Sequence, residues 1–277
     1  MAEKAGSKTE STPGKTGKKP SRPSERKLQT RIGTPTCDID RLRFRGKDTL
    51  NELVGEVTFT EGVFLAVTGK LPSPQQTKIL DACLVMLMDH GITPSALVTR
   101  LVADTVPTDL QVGIAAGLLT VGNKFMGTIA GAGELLQKGI ASGLTPEVWA
   151  KATVAEHLAA KKRFPGFGHP DYFPDDPRTM RLFEIARNVG VSGRYVAMIK
   201  LLEMEIEAQG GRRVPLNATG AIGALLCEID FPVPAMRGVA VISRSAGLLA
   251  HALEEVESAS AWPIMQMVMK AMPYEEE

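Results

Sequence analysis

From Asp48 onward apolar residues return every three or four positions, as in Leu50, Leu53, Val54 and Val57, and again in Ile79, Ala82, Cys83, Met86 and Leu87. That period places each set on one face of a helix, and alternating, strand-like runs are hard to find. The pattern is plainest late in the chain, where Val239, Ile242, Ala246, Leu249, Leu253 and Val256 step along one face of a long helix. Proline and glycine punctuate the helices. Leu71-Pro-Ser-Pro precedes one helix, Leu144-Thr-Pro-Glu precedes another with Thr145 as cap and Pro146 in the first turn, and Asn188-Val-Gly closes a third. The expectation is an all-α fold.

Two stretches depart from this pattern. Residues 1–30 are Lys, Ser, Thr, Gly and Pro with almost no large apolar side chain, so nothing there offsets the entropy of ordering, and a disordered basic tail is expected. Between Gly113 and Gly133 six glycines stud an apolar run. Glycine weakens a helix, so its gain must lie in close backbone packing, within the subunit or across a dimer. The run holds neither a G-x-G-x-x-G after a strand nor a G-x-x-x-x-G-K-[ST], which removes the phosphate-loop readings.

Charge adds a limit. Of the net +1 over 277 residues, the first 30 residues supply eight Lys or Arg against three Glu, about +5, leaving about −4 for the remainder. A broadly basic nucleic-acid binder is not expected. The three cysteines, Cys37, Cys83 and Cys227, are too scattered for a disulfide framework or a zinc site and fit a reducing cytoplasm. No apolar run approaches the length of a membrane span, so no membrane contact is expected.

Four histidines, His90, His157, His169 and His251, are the candidates for proton transfer near neutral pH. His157 and His251 sit within helical patterns and read as ordinary helix histidines, whereas His90 and His169 fall at glycine-rich breaks. The segment from Gly166 to Arg178, Gly-Phe-Gly-His-Pro-Asp-Tyr-Phe-Pro-Asp-Asp-Pro-Arg, joins a histidine, an arginine, three aspartates and three prolines in one irregular loop. Such a loop can aim an imidazole and a guanidinium at one 2-oxo acid, the arginine on the carboxylate and the histidine on the carbonyl oxygen. Composition alone leaves a surface loop with helix-capping aspartates equally open.

Gly-Phe-Gly-His followed nine residues later by the arginine of Asp-Pro-Arg resembles the signature of the citrate synthase superfamily. The resemblance places His169 and Arg178 on its oxaloacetate-binding histidine and arginine. It extends through Arg43-Phe-Arg-Gly46, Glu61-Gly-Val-Phe-Leu65, Thr68-Gly-Lys-Leu-Pro72 and Ile242-Ser-Arg-Ser-Ala-Gly247, the last placing Arg244 on a second substrate arginine. Where citrate synthases carry a thioester-polarising histidine in "HGxAN", this chain reads Gly117-Leu-Leu-Thr-Val-Gly-Asn-Lys-Phe-Met-Gly127. That wording is similar to the citryl-CoA lyase branch, including the C-terminal module of ATP-citrate lyase. Asp89-His-Gly91 is similar to the "DHG" of that branch and makes His90 an active-site histidine.

Two departures accompany the likeness. Asn217-Ala-Thr219 stands where the family has "NVD", so the acid-base aspartate becomes Thr219, whose hydroxyl is no base at neutral pH. The substrate arginine that the family's partner subunit supplies has no counterpart in Ser258-Ala-Ser-Ala-Trp-Pro263. Arg212 and Arg213 lie near where relatives use a basic residue toward CoA phosphates.

The resemblance implies a citrate-synthase-like all-α fold, with a large helical domain over 31–130 and 236–277 and a small helical domain over 131–235, working as a cytoplasmic homodimer. It implies cleavage of a citryl-CoA-type thioester to an acyl-CoA and a 2-oxo acid, or the reverse. His90, His169 and Thr219 are then the catalytic positions, and Arg178 and Arg244 the carboxylate holders. CoA enters as substrate, with no metal or redox cofactor. The alternatives are a citrate or 2-methylcitrate synthase, and a catalytically silent acyl-CoA-binding subunit.

Overall fold

The computed structural model describes residues 29–276 apart from 36, 38, 123–125 and 192, so nearly all of the expected tail lies outside the described residues. The described chain is helical, with one two-stranded hairpin. Strands β1 (Arg43–Phe44) and β2 (Lys47–Asp48) pair antiparallel, with Phe44 opposite Lys47. They turn through Arg45 and Gly46, both at positive φ. The Arg45 guanidinium donates through Nε to the carbonyl of Ala66 at 2.8 Å, which fastens the hairpin to the next helix.

Eleven α-helices follow among the described residues. They are α1 (Phe59–Thr68), α2 (Pro74–Leu87), α3 (Pro94–Thr105), α4 (Leu110–Leu119), α5 (Gly127–Ala141) and α6 (Pro146–Ala159), then α7 (Pro177–Asn188), α8 (Arg194–Gly210), α9 (Ala218–Glu228), α10 (Met236–Ser258) and α11 (Ala261–Ala271). Their starts carry the expected chemistry. Ser73 and Gln76 form a capping box ahead of Pro74 in α2, and the Thr145 hydroxyl accepts from Val148 N at 3.4 Å ahead of Pro146 in α6. Gly190, at φ 73°, follows the end of α7.

Two readings of periodicity need correction. Leu50 to Val57 does not form a long helix: Thr49–Leu53 makes a single wide turn capped by Asp48, and Leu50 and Val54 are exposed. Gly55, at positive φ, lies just beyond it, where a left-handed residue breaks helical geometry. On α10 the apolar stripe faces the core only at its start, where Val239 is buried and Ile242 packs on the core, and turns to the surface from Ala246 onward. Met236, Val239, Ala240, Ser243, Arg244, Gly247, Leu248, Ala252 and Glu255 are buried, while Leu249, Leu253 and Val256 are nearly half exposed. With α11, whose Trp262, Met267, Val268 and Met269 are exposed, they leave an uncovered apolar surface.

Helix α9 is the centre of the fold. From Gly220 to Cys227 every residue is buried, as befits a helix that is apolar all round, and α2, α5, α7 and α8 pack against it. Gly223 permits the approach of α5, because a Cβ there would lie 2.7 Å from the carbonyl oxygen of Ile129. The second assembly is α3, α4 and α10, stitched by small residues. At Gly117 a Cβ would fall 2.0 Å from the Thr99 hydroxyl and 2.6 Å from the Ser95 carbonyl, so the close packing expected of the glycine-rich run occurs within the subunit. Helix α2 touches both assemblies and ends between them, at the turn that carries His90. Cys83 and Cys227 are buried, and burial pushes both thiols up to about 12, which leaves them as inert core groups. No described helix is long and apolar enough to cross a membrane.

Candidate active site

The His169 loop is shaped by the segment that leads into α9. Gly168 N donates to the Pro215 carbonyl at 2.8 Å, Asn217 N donates to the Gly166 carbonyl at 2.9 Å, and the Asn217 side-chain amide donates to the Gly168 carbonyl at 2.8 Å. Gly166 has φ 87°, and a Cβ there would sit 2.4 Å from the Cα of Gly220. Only glycine meets both demands. The Gly-Phe-Gly-His wording therefore has a mechanical cause: it lets the loop lie flat on the start of α9 and presents His169 above it.

Asp176 locks the other end of the loop. It is buried at 1% exposure and caps α7 by accepting from Arg178 N at 3.0 Å. It also accepts from Ala218 N in the first turn of α9 at 3.0 Å, and from the Arg178 guanidinium through Nε at 3.0 Å and Nη2 at 2.8 Å. One carboxylate thus serves two helix N-termini and an arginine. Burial pushes its pKa up, but the hydrogen bonds and charge of Arg178 and the Ala218 amide outweigh burial and hold it below the usual carboxylate value. The Arg178 fork is closed on this partner, which leaves its other terminal nitrogen as the donor for a ligand. Its guanidinium carbon lies 4.7 Å from the centre of the Tyr172 ring.

His169 packs on the same tyrosine, ring centres 4.5 Å apart. Its Nδ1 accepts from the backbone amides of Asp171 at 3.1 Å and Tyr172 at 3.3 Å, so the neutral ring carries its proton on Nε2. Burial lowers its pKa below 6.5, with the charges of Arg178 and His90 acting the same way against those of Asp176 and Asp171. A neutral imidazole with an outward Nε2–H is the form that donates to a carbonyl oxygen.

Thr219 lies in the first turn of α9. Its hydroxyl donates to Asn217 Oδ1 at 2.7 Å, because that oxygen can only accept, and pairs with the Thr128 hydroxyl at 2.8 Å. The position is polar and ordered, yet it offers no carboxylate.

The α10 side brings the remaining candidates. His90 follows the end of α2, and its ring meets that of His169 edge-on with centres 6.1 Å apart. Arg244 projects from α10 and is 2% exposed, with Nε and Nη1 lacking any hydrogen-bond partner. Burial lowers its pKa, against the opposing charge of Asp89. A buried guanidinium with unmatched donors is costly as it stands and can receive a carboxylate. His169 and Arg178 thus share Tyr172, His90 meets the His169 ring, Asn217 ties Thr219 to the Gly168 carbonyl, and Arg244 feels the charge of Asp89, the residue before His90.

Arg212 is exposed, and Arg213 points to the loop's outer edge, where it pairs with Asp175 and, at 3.3 Å, with Glu207. The sequence reading missed Asp176, Tyr172 and Asp89. Asp176 had a signal, an aspartate directly before the Pro of a helix start. Tyr172 had only its place in the loop.

Residues 72–265 match the family model for the citrate synthase C-terminal domain. The fold superposes on a citryl-CoA lyase from Hydrogenobacter thermophilus with a TM-score of 0.77 at 34% identity, covering 83% of this chain and 88% of that one. An ATP-citrate synthase beta chain of Arabidopsis thaliana is 28% identical over 195 residues, which is 65% of this chain and 31% of that protein. A citrate synthase of Synechocystis is 27% identical over 210 residues, 73% of this chain and 50% of that protein. The chain spans about a third to a half of the length of these curated relatives.

Proposed function

Since the chain belongs to the citrate synthase family, we propose that it cleaves a citryl-CoA-type thioester into an acyl-CoA and a 2-oxo acid, acetyl-CoA and oxaloacetate in the simplest case, or joins them in reverse. What favours cleavage over synthesis is the 34% identity to a citryl-CoA lyase across nearly that enzyme's whole length, together with the absence of an "HGxAN" histidine. In cleavage the tertiary hydroxyl loses its proton as the bond between the carbinol carbon and the thioester's α carbon breaks. The electron pair passes to the α carbon, giving an enolate that must then take a proton.

The orientation of His169 supports one division of roles. Its Nδ1 lone pair is occupied by backbone amides, so Nε2–H donates to the oxygen that becomes the carbonyl, and His90 is left to accept the hydroxyl proton. Arg244 and the remaining nitrogen of Arg178 would hold carboxylates. Thr219 offers no carboxyl group to carry the proton to the enolate, and water takes that part. A dimer would cover the apolar surface of α10 and α11, and closure of the small domain, 131–235, on the large one would exclude bulk water. Arg212 remains the better placed of the two basic residues for CoA phosphates, since Arg213 is already paired.

The test is to incubate the purified protein with citryl-CoA and follow oxaloacetate and free CoA separately. Oxaloacetate without free CoA supports the lyase. Release of CoA from acetyl-CoA plus oxaloacetate would instead indicate a synthase. The Thr219 hydroxyl favours a second reading, a silent acyl-CoA-binding subunit, which turnover by the isolated chain eliminates.

A further inference from the structure

His251 lies on α10 outside the groups that would hold substrate, and both of its ring nitrogens are engaged. Arg100, on α3 and 5% exposed, donates through Nε to His251 Nδ1 at 3.1 Å. Its terminal nitrogens reach Glu254, Glu255 at 3.3 Å and the Ser260 hydroxyl at 3.4 Å. An arginine Nε always carries its proton, so His251 Nδ1 must accept. The ring proton then sits on Nε2, 2.9 Å from Asp89 Oδ1.

Asp89 immediately precedes His90 and accepts from Gly91 N at 2.8 Å through its other oxygen. The α10 backbone lies flush on this turn, since a Cβ at Gly247 would be 2.0 Å from the Met88 carbonyl oxygen. Joining α3 to α10 does not need the histidine, because Arg100 already pairs with Glu254 and Glu255. What His251 adds is a single fixed donor that leaves this ion-pair cluster and ends on the carboxylate of the Asp89-His90-Gly91 turn.

We propose that His251 is the positioning residue for that turn: Arg100 sets its tautomer, its Nε2–H fixes Asp89, and Asp89 in turn fixes the His90 ring against His169 and supplies the charge that faces Arg244. The role of His90 in proton transfer rests on the lyase reading above, whereas the positioning itself does not.

With four histidines in the chain, ¹⁵N-histidine spectra of the whole protein can follow each ring. The neutral His251 ring is expected as the Nε2–H tautomer. His251→Asn keeps an acceptor near Arg100 but is too short to reach Asp89, and should move the His90 ring resonances while leaving those of His157 in place. His251→Gln extends an amide N–H toward Asp89 and should return them close to their original positions. For citryl-CoA cleavage, His251→Asn should lower kcat about tenfold with KM changed less than about twofold, a fraction of the 10²- to 10⁴-fold range for a whole acid-base group, and His251→Gln should restore most of it. An Nδ1–H tautomer, or His90 resonances unmoved in the Asn variant, overturns the proposal. The tautomer is read on the unaltered chain, so it decides even if the Asn variant does not fold. If the unaltered chain cleaves nothing, the lyase reading fails and the His90 resonances still decide the positioning.

Discussion

Arg178, at the start of α7, and Arg244, in the middle of α10, differ in what meets their charge. Arg178 keeps 22% of its side chain exposed and closes a two-pronged pair on Asp176, which also anchors the first turns of α7 and α9. Arg244 is almost fully buried with two nitrogens unmatched. The contrast separates two uses of one residue type. A satisfied arginine holds the site together before anything binds, and the protein's own stability includes it. An unsatisfied one costs stability until a ligand supplies acceptors, so its contribution appears on binding.

The contrast breaks most sharply at Asp176. Asp176→Ala removes the partner of Arg178, the cap of α7 and the acceptor for Ala218 N, and should cost about 3–5 kcal/mol of stability, the range for breaking a buried pair from one side. Urea unfolding measures it. A loss below about 1 kcal/mol would show that the clamp is not what holds the loop to α9.

Arg244→Met tests the other half. Replacing an unmatched buried cation with an apolar chain of similar reach should leave the unliganded protein as stable or more so. Affinity for oxaloacetate should nevertheless fall about 30-fold or more, because a charge-assisted pair is lost. Titration calorimetry and thermal unfolding give both numbers on one sample. Lower stability together with unchanged affinity would mean that Arg244 is a structural residue.

How much of this the sequence could tell depends on distance along the chain. Ser73-Pro74 and Thr145-Pro146 announce their helices because a cap and the donors it satisfies lie within three residues. Asp176 acts on Arg178, two residues away, and on Ala218, forty-two away, and only the first half of that role is local. The period along α10 was real, but a period says that a face is apolar and not what covers it. Buried Ser243 and Gly247 lie on the inner face because the neighbours there are backbone: the Ser243 hydroxyl meets the Leu84 carbonyl, and Gly247 meets Met88. His251 read as an ordinary helix histidine because Arg100 and Asp89 come from other helices.

A smaller effect is expected at Thr219, where the pattern of the satisfied side meets an altered residue. Thr219→Asp places a carboxylate in the first turn of α9, where the helix dipole favours negative charge and the Thr128 hydroxyl can donate. Asn217 Oδ1, now the acceptor of the Thr219 hydroxyl, would repel it. If the site performs lyase chemistry, turnover of citryl-CoA should rise about tenfold, the low end of what a placed acid-base group contributes. The two opposing influences on the new carboxyl make a series from pH 5 to 9 the proper measurement. A variant that folds and binds CoA but gains nothing at any pH favours the silent-subunit reading.

The smallest effect is a two-step dependence of stability on pH, and it sharpens the comparison because the Arg178 side contributes one group to each step, His169 together with His157 in the first and Asp176 together with Asp89 and Glu255 in the second. His169 has its folded pKa held below 6.5, so the unfolded chain takes up a proton first as pH falls. Its contribution is complete above pH 6.5 and is lost progressively below it. Asp176 is depressed relative to 3.8, so its contribution is present above that value and is lost as pH falls through its lower folded value. Arg244 is lowered from 12.5 and should add nothing between pH 3 and 8. Unfolding free energies taken across that range should decline shallowly below pH 6.5 and more steeply below pH 4. His169→Gln should remove a share of the shallow decline, Asp176→Asn should remove a share of the steep one, and Arg244→Met should leave the shape of the curve alone. If Arg244→Met reshapes the acid limb while Asp176→Asn does not, then the electrostatic stability of the site resides with α10, and the division drawn between the two arginines is reversed.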